Sequence, residues 1–356
     1  MKYCIIGAGA FGINIAFELL SKGHQVDMIT NKLESVSSIY SRGIAIKMPK
    51  HNWFTNIYFK MNNYNYRWLL LWAITTYANY KFYFKFKKKA IVESFKIVKS
   101  YNLNYQMCKK KYFIDIPYIH NEMINTMKNN NLFNLIIKKI NNDDISQLKN
   151  KYDKIFDCRG SNNNLNYLCE NIGGYKVIIE ADTPKKCFSL EDGWFIHTDI
   201  NNPNQFIAKG GMIVGSKRYE KELSNNNNEI DEINNIKNIV KNKPFWKKYN
   251  CKKIKSIRVG SRMYSIDMLP FYTENDNVIS IMGGSAVGCV LAPFTSKCII
   301  EQALNNNKIS SFDFSYIRAR NNYINAIKYI VFFIIFLFLL KRNYKHLIKR
   351  YIGIQL

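Results

Sequence analysis

The chain has 356 residues, 47% of them hydrophobic, which is enough to bury a large core as one large domain or two interleaved ones. Its net charge of +26 suits nucleic acid or an anionic membrane surface. However, Asn, Lys, Ile, Tyr and Phe are overused together and all have A/T-rich codons, which accounts for much of the lysine excess without a partner. The eight cysteines include no CxxC pair and no metal-ligand spacing, so we expect no metal site and reduced thiols in a cytoplasmic setting.

The first thirty residues predict the start of a nucleotide-binding sheet. Residues 2–6 are typical of a short buried strand, and residues 10–22 carry apolar side chains at helical spacing until Gly23 provides a stop. A second strand is predicted over residues 25–30. Strand, turn, helix and strand in this order form the beginning of a βαβ unit.

A glycine-rich turn joins the first strand to the helix. Its sequence is Gly7-Ala8-Gly9-Ala10-Phe11-Gly12, the GxGxxG pattern of dinucleotide-binding proteins. Gly7 allows the tight turn, Gly9 lets the backbone approach a pyrophosphate, and Gly12 lets helix and strand pack closely. The phosphates are expected at the positive N-terminus of the helix.

The ribose contact departs from the usual pattern of such proteins. An acidic residue is expected at the end of the second strand, where this chain has Thr30 and Asn31. Both side chains can form a hydrogen bond with a ribose, though a weaker one than a carboxylate forms. The nearest carboxylate, Asp27, lies in the middle of the strand.

The middle of the chain gives weaker signals. Residues 53–90 are rich in aromatics and lysines, a pattern that could bind single-stranded nucleic acid, cover a membrane surface or form a core helix with solvated lysines. Because no nucleic-acid-binding motif accompanies it, we expect no nucleic-acid partner. A helix over residues 119–129 and a strand over residues 132–138 are predicted next. Residues 152–160 then predict the last strand of the nucleotide-binding sheet, ending at Gly160 close to the cofactor.

The far part of the chain contains a separate sheet and a second glycine turn. Strands over residues 177–180, 194–197 and 205–208 indicate an antiparallel sheet. The second turn has the sequence Gly283-Gly284-Ser285-Ala286-Val287-Gly288. Paired with the first turn, it suggests that the chain returns to close the same cofactor site, a layout that suits a flavin better than a nicotinamide.

The block that begins at Gly260 carries a family resemblance. Gly260-Ser261-Arg262-Met263-Tyr264-Ser265-Ile266-Asp267-Met268-Leu269-Pro270, followed by the second glycine turn and Leu291-Ala292-Pro293, resembles the closing signature of the D-amino-acid oxidase and glycine or sarcosine oxidase superfamily of FAD-dependent oxidoreductases. With the first turn and residues 153–160, the resemblance covers about residues 1–320.

The resemblance implies an α/β fold with two interleaved domains, to which the sequence adds a C-terminal hydrophobic helix that the family fold does not need. One domain is a Rossmann-like FAD-binding domain, expected at about residues 1–50, 119–175 and 255–308. The other is an antiparallel-sheet substrate domain, expected at about residues 51–118 and 176–254.

The resemblance also assigns substrate residues. Arg262 matches the family arginine that binds the substrate carboxylate, a role that suits a planar guanidinium, with an ordinary surface ion pair as the alternative. Tyr264 could line the substrate pocket or simply pack with its hydroxyl solvated. Asp267 is expected to hold the turn before Pro270.

The implied cofactor contacts come from several segments. A small-residue loop over residues 35–48 is where the flavin ring would lie against the backbone. The backbone N–H groups of the second turn would face the flavin's pyrimidine side. The expected FAD contacts are Gly7, Ala8, Gly9, Ala10, Phe11, Gly12, Thr30, Asn31, Ser38, Ser41, Arg42, Gly43, Gly160, Gly283, Gly284, Ser285, Ala286, Val287 and Gly288.

Residues 321–356 form a tail beyond the resemblance. Residues 329–340 are an unbroken apolar run, preceded by Lys328 and followed by the basic residues Lys341, Arg342, Lys345, Lys349 and Arg350. A helix over this run reaches roughly 18 Å, short of a hydrocarbon layer of roughly 30 Å, whereas counting back to Tyr323 with Lys328 snorkelling gives a helix that just spans it. A buried helix is the alternative. Because the run is apolar on every side, we expect membrane attachment, spanning or in the interface, and a cytoplasmic, membrane-associated protein with the basic residues on the cytoplasmic side.

The sequence therefore predicts an FAD-dependent oxidoreductase that oxidises the C–N bond of a small carboxylated amine or amino acid by hydride transfer to flavin N5. The expected electron acceptor is oxygen or a quinone. A 2-hydroxy-acid or glycerol-phosphate-type dehydrogenase on the same fold is an alternative. A flavin-binding structural protein that has lost catalysis, for which the missing ribose acid argues, and a nicotinamide-dependent reductase are the others.

Overall fold

The structure is a computed structural model that describes residues 1–31, 33, 44–46, 85–86, 88–93, 96–97, 106–108, 111–113, 116–160, 168–181, 188–191, 194–199, 202, 204–214, 221–222, 230–267, 269–284, 288–305 and 312–352. In chain order the strands are β1 (Lys2–Ile6), β2 (Gln25–Thr30), β3 (Ile44–Ile46), β4 (Gln106–Cys108), β5 (Lys111–Phe113), β6 (Phe133–Ile137), β7 (Lys154–Asp157), β8 (Cys169–Ala181), β9 (Phe188–Glu191), β10 (Trp194–Thr198), β11 (Gln205–Val214), β12 (Lys221–Glu222), β13 (Cys251–Ser265), β14 (Phe271–Asn275) and β15 (Val278–Met282). The helices are α1 (Ala10–Ser21), α2 (Ile116–Lys128), α3 (Asn142–Leu148), α4 (Ile230–Lys241), α5 (Pro244–Lys248), α6 (Gly288–Asn305) and α7 (Tyr316–Ile352).

A mostly parallel sheet forms the first half of the fold. Its order is β14-β15-β7-β1-β2-β6, and all neighbouring strands are parallel except β14 and β15. The predicted strand, helix and strand at the start of the chain are confirmed, with only the end of α1 one residue short of the prediction. The strand predicted within residues 152–160 is confirmed as β7, but the prediction that it is the last strand of this sheet is wrong, because β15 pairs with β7 and β14 extends the sheet further.

Both faces of the parallel sheet are covered, as parallel sheets require. On one face α1, α2, α6 and the helical residues 85–86, 88–93 and 96–97 enclose a core that includes Phe86, Phe312 and Phe314. On the other face α3 and the residues before it contribute Ile140 and Ile145. Burying each such side chain stabilises the fold by roughly 1.5–3 kcal/mol, so this double layer fixes the sheet that carries the first glycine turn.

The second sheet is antiparallel, as predicted. Its order is β12-β13-β8-β11-β10-β9, and α4 and α5 pack against one of its faces. The long strands β8 and β13 pair along their lengths, which extends this sheet into residues 169–175 and 255–265. The sequence prediction places those two stretches in the FAD-binding part, so β8 and β13 connect the regions expected for substrate and cofactor.

A small sheet in the order β3-β5-β4 lies within the described part of residues 44–113. Ile44 to Ile46 pair with Lys111 to Phe113 in antiparallel register. This strand falls inside the segment predicted as a small-residue loop. The loop prediction is therefore wrong at these residues, where two apolar side chains flank Ala45 and the chain pairs with a distant strand.

The C-terminal helix α7 is continuous over 37 residues. Its base is packed on the body, with Ala319 and Ala326 buried, whereas Phe332 is 71% exposed and Phe338 67% exposed. The alternative of a buried C-terminal helix is therefore wrong. In the part of the chain that the structure describes, Tyr316–Leu340 is the one helix long and apolar enough to cross a membrane, by length and composition alone.

Candidate functional site

The first glycine turn has no room for a side chain at Gly7 or at Gly12. Gly7 has a φ of +103°, and a Cβ added there would lie 2.9 Å from the carbonyl oxygen of Cys158. A Cβ at Gly12 would overlap the carbonyl oxygen of Gly7. The backbone of the turn is fixed to the sheet, because the N–H of Gly7 donates to the carbonyl of Ile29 over 2.8 Å. Only glycine permits this approach of helix, turn and neighbouring strand.

Helix α1 starts at this turn, and no side chain caps or neutralises the positive end of its dipole. Gly9 is the N-cap residue in an extended conformation, no side chain caps the helix, and its first turn contains no carboxylate. The carbonyl of Gly9 accepts the first helical hydrogen bond from the N–H of Ile13 over 3.0 Å. Backbone N–H groups and the helix dipole at such an N-terminus favour an anionic group.

The second glycine turn lies directly against the first. A Cβ added at Gly284 would lie 2.8 Å from Cε2 of Phe11, and one at Gly288 would lie 3.8 Å from the same atom. Gly283 has a φ of +80°, and a Cβ there would lie 2.7 Å from Cβ of Ser265. Helices α1 and α6, which follow the two turns, pack against each other. The structure thus brings together two turns that stand at opposite ends of the chain.

The residues predicted to bind the ribose occupy the end of β2. Thr30 is buried and Asn31 is exposed. Asp27 is not available there, because its buried carboxylate accepts a hydrogen bond from the hydroxyl of Tyr152 over 2.7 Å and pairs with Lys2 at 3.1 Å. Burial, together with that hydrogen bond to Asp27, raises the pKa of Tyr152.

Several other predicted cofactor residues fall outside the described part of the chain. Gly160 is described and follows β7 with a φ of +61°. The residues beyond the described ranges are Ser38, Ser41, Arg42, Gly43, Ser285, Ala286 and Val287.

The predicted substrate residues stand next to the second glycine turn. Arg262 and Tyr264 lie two residues apart on β13, on the same face of the strand, with Arg262 partly buried and Tyr264 buried. Burial raises the pKa of Tyr264, and the positive charge of Arg262 opposes that effect. The backbone of Tyr264 forms a β-bridge with Gly284, so the strand of Arg262 ends at the turn that Phe11 contacts.

Two buried ion pairs were not predicted. At the end of β7, Arg159 donates to both carboxylate oxygens of Asp157, with Nε to Oδ1 at 2.9 Å and an Nη2 to Oδ2 distance of 2.7 Å. A sequence signal for this pair exists, since a buried strand ends in an acidic residue and a basic residue stands two positions later. The second pair joins Asp267 to Arg318 at 3.2 Å, and no local pattern connects residues so far apart in sequence.

Among the described residues, no group of three or more His, Cys, Asp or Glu side chains could hold a metal ion.

Comparison with known proteins finds likeness at the level of fold. No protein-family description and no curated protein matches the sequence. L-proline dehydrogenase from P. horikoshii aligns with a TM-score of 0.55 at 12% identity, covering 86% of this chain and 94% of that chain. Fructosyl amine: oxygen oxidoreductase (Amadoriase I) from Aspergillus fumigatus aligns with a TM-score of 0.53 at 10% identity, covering 86% of each chain.

Glycine oxidase from Bacillus cereus ATCC 14579 aligns with a TM-score of 0.51 at 12% identity, covering 86% of this chain and 96% of that chain. These identities are low, but the alignments extend over nearly the whole body of the protein. The parallel sheet, the separate antiparallel sheet and the juxtaposed glycine turns agree with the motifs that suggested the resemblance. The chain therefore shares its fold with glycine oxidase, L-proline dehydrogenase and fructosyl amine: oxygen oxidoreductase.

Proposed function

We propose that the protein is an FAD-dependent oxidoreductase that oxidises the C–N bond of a small carboxylated amine or amino acid. The observation that carries this proposal is the contact between the two glycine turns, at Phe11 and Gly284, beside the strand of Arg262 and Tyr264. The fold supports it, because structures named glycine oxidase, L-proline dehydrogenase and fructosyl amine: oxygen oxidoreductase share it.

The residues of the first turn fit the pyrophosphate of FAD. Gly7 and Gly12 have no side chains to cover the backbone, and α1 begins with no side-chain cap and no carboxylate in its first turn. The turn of Gly283 and Gly284 would complete the site from the other side. The ribose contact would come from Thr30 or Asn31 at the end of β2, because the carboxylate of Asp27 is engaged with Tyr152 and Lys2.

Arg262 is the residue that would bind the substrate. Its guanidinium can bind both oxygens of a carboxylate in one geometry, and Tyr264 lies two residues away on the same face of β13. Partial burial strengthens this charge pair relative to one in water. A carboxylate held there fixes the neighbouring α-carbon, which gains the entropic advantage of a bound, oriented reactant.

FAD supplies an acceptor for the hydride that leaves the α-carbon. Two electrons and one proton leave the amine as that hydride, a second proton leaves the nitrogen, and the resulting imine is hydrolysed by water to a carbonyl compound and ammonia or an amine. The N-terminus of α6 and the N–H groups of the second turn would stabilise negative charge that develops next to them during the reaction. The electrons then pass to oxygen or to a quinone.

The C-terminal helix supports a further proposal, attachment to a lipid bilayer. Residues 329–340 are apolar on every side and exposed, and basic residues flank them in the sequence. A bilayer would cover this surface, and anionic headgroups would pair with the basic flanks. In vesicle flotation, the full chain should float with anionic vesicles and a variant truncated after Lys328 should not; equal recovery of both would remove this proposal.

The cofactor proposal is tested by the absorbance of the purified protein. A flavoprotein is yellow, and we expect anaerobic bleaching by amino acids or carboxylated amines. Bleaching only by 2-hydroxy acids or glycerol phosphate would establish the rival reaction on a C–O bond. Bound flavin that no substrate bleaches would support the structural alternative, and a colourless protein that binds a nicotinamide would contradict FAD.

The role of Arg262 is tested by Arg262→Leu. We expect kcat/KM for the carboxylated amine to fall about 100-fold or more, because a charge-assisted bidentate pair is lost. The matched control is Lys255→Leu, which removes a cation from the same strand where it forms an exposed ion pair with Glu180. Unchanged turnover in Arg262→Leu, with flavin content equal to that of the control, would remove the assignment.

A further inference from the structure

The base of the C-terminal helix is built into the body of the protein. Ala319 and Ala326 are buried, and Tyr316 and Tyr323 pack against the cluster that contains Tyr264 and Met282. The residues just before the helix are also held, because the N–H of Tyr272 on β14 donates to the carbonyl of Phe314 over 2.9 Å. The helix therefore leaves the body after a docked base, residues 316–326.

Arg318 is the polar centre of this base. Its guanidinium donates to the carbonyl of Asp313 over 2.8 Å, to that of Pro270 over 3.1 Å and to that of Leu269 over 3.4 Å. It also pairs with Asp267, whose side chain is fully buried. One planar fork thus joins α7 to the turn at Asp267, Leu269 and Pro270.

Asp267 closes the same turn from inside. Its Oδ1 accepts a hydrogen bond from the N–H of Leu269 over 3.1 Å, which confirms the predicted role before Pro270. Its Oδ2 accepts a second from Asn322 of α7 over 3.0 Å. Both carboxylate oxygens are therefore engaged, one by the turn and the other by the helix.

The second glycine turn rests on this turn. The Ser265 hydroxyl donates to the carbonyl of Leu269 over 2.8 Å, and Leu269 is the residue whose carbonyl Arg318 also binds. A Cβ at Gly283 would lie 2.7 Å from Cβ of Ser265 and 3.2 Å from the carbonyl oxygen of Leu269. The position of Gly283 is thus fixed by a surface that Arg318 holds.

We propose that Arg318 is a positioning residue for the second glycine turn, so that residues 316–326 belong to the FAD-binding body and not to the membrane tail. The proposal rests on the proposed function for its consequence, which is the placement of the turn against the flavin. Its structural content, the link from Arg318 through Leu269 to Gly283, holds with or without bound cofactor.

The test is Arg318→Lys, which keeps a positive charge for Asp267 but lacks the fork that reaches three carbonyls. The matched control is Arg320→Lys, an exposed arginine on the same helix. Amide hydrogen exchange is followed in peptides covering residues 278–291 and, as an internal reference, residues 3–14. We expect exchange in 278–291 to accelerate by about fivefold or more in Arg318→Lys, since at least one net hydrogen bond is lost, with no change in 3–14.

A truncation after Lys328 separates the docked base from the apolar run. It keeps residues 316–326, so exchange over 278–291 should equal that of the full chain. The visible spectrum of the bound flavin should shift in Arg318→Lys and in neither of the other two variants.

Equal exchange in Arg318→Lys and Arg320→Lys would overturn the proposal, and so would acceleration in both peptides alike, because that result reports general destabilisation. A colourless full-length protein would instead remove the proposed function. The exchange comparison would still decide the role of Arg318 in that case.

Discussion

The two glycine turns do similar work but are built in different ways. The first is a local unit, in which Gly7, Gly12 and the strands on either side lie within thirty residues, with Cys158 as the main distant contact. The second rests on Phe11, on Ser265 and Leu269, and through these on Arg318. A turn encoded locally is damaged mainly by changes within it, whereas a turn supported by distant segments is also sensitive to changes far from it.

Breaking the local turn should have the largest effect. In Gly12→Ala, the new Cβ would overlap the carbonyl of Gly7 and lie 3.3 Å from Cγ2 of Ile5, and neither neighbour is free to move. We expect a loss of about 4 kcal/mol or more in the free energy of unfolding, measured by urea denaturation, and loss of bound flavin. The control is Gly260→Ala, where nothing lies within 4 Å of the new Cβ. Equal stability of the two variants would contradict the geometry of the first turn.

The packing behind the first turn should respond to acid. His120 on α2 is buried, and that burial lowers its pKa from 6.5 to about 4. His120 is therefore protonated below pH 6.5 in the unfolded chain, but in the folded chain it is protonated only below about pH 4. As a result, the free energy of unfolding is not reduced by His120 above pH 6.5, and it falls by about 3 kcal/mol as the pH drops to 4.

His120→Leu isolates this effect, since the variant has no imidazole to titrate. The difference in unfolding free energy between the variant and the natural chain should grow as the pH falls from 7 to 4, by about 1.4 kcal/mol per pH unit at its steepest. Parallel stability curves for the two chains would show that His120 does not carry this acid sensitivity.

Breaking the contact between the two turns should have the smallest effect on stability, and the energetic coupling between Gly284 and Phe11 can be measured directly. In Gly284→Ala, the new Cβ would lie 2.8 Å from Cε2 of Phe11, a ring that can shift, so we expect a loss of about 1–2 kcal/mol. Adding Phe11→Leu should restore most of that loss, and a double-mutant cycle measures the coupling. Gly288→Ala is the control, because its Cβ would make an ordinary 3.8 Å contact with Phe11. If the losses in Gly284→Ala and Phe11→Leu simply add in the double variant, the two turns are not in energetic contact, which would contradict this prediction.

The sequence predicted the local parts of this site well. The bounds of β1 and β2 are confirmed and α1 agrees to within a residue, because apolar periodicity and the glycines act over short distances. The second turn and its neighbouring arginine were predicted only as part of a family resemblance. Nothing in the local pattern of Gly283 and Gly284 indicates that Phe11 lies against them.

The failures of sequence reasoning share a physical cause. The addition of β15 beside β7 depends on pairing between Val278 and Ile155, which no short window contains. The pair of Asp267 and Arg318 likewise joins two segments with no common periodicity. The pairing of Ile44 to Ile46 was hidden for the same reason, because its partner strand is β5.

The place of β15 in the sheet has a consequence for synthesis of the chain. Strands β1, β2, β6 and β7 leave the ribosome well before β15, so the backbone groups along one side of β7 have no strand partner while the polypeptide is still growing. An open strand of this kind can pair with other nascent chains. Products of premature termination before residue 278 should therefore aggregate more than the full chain does.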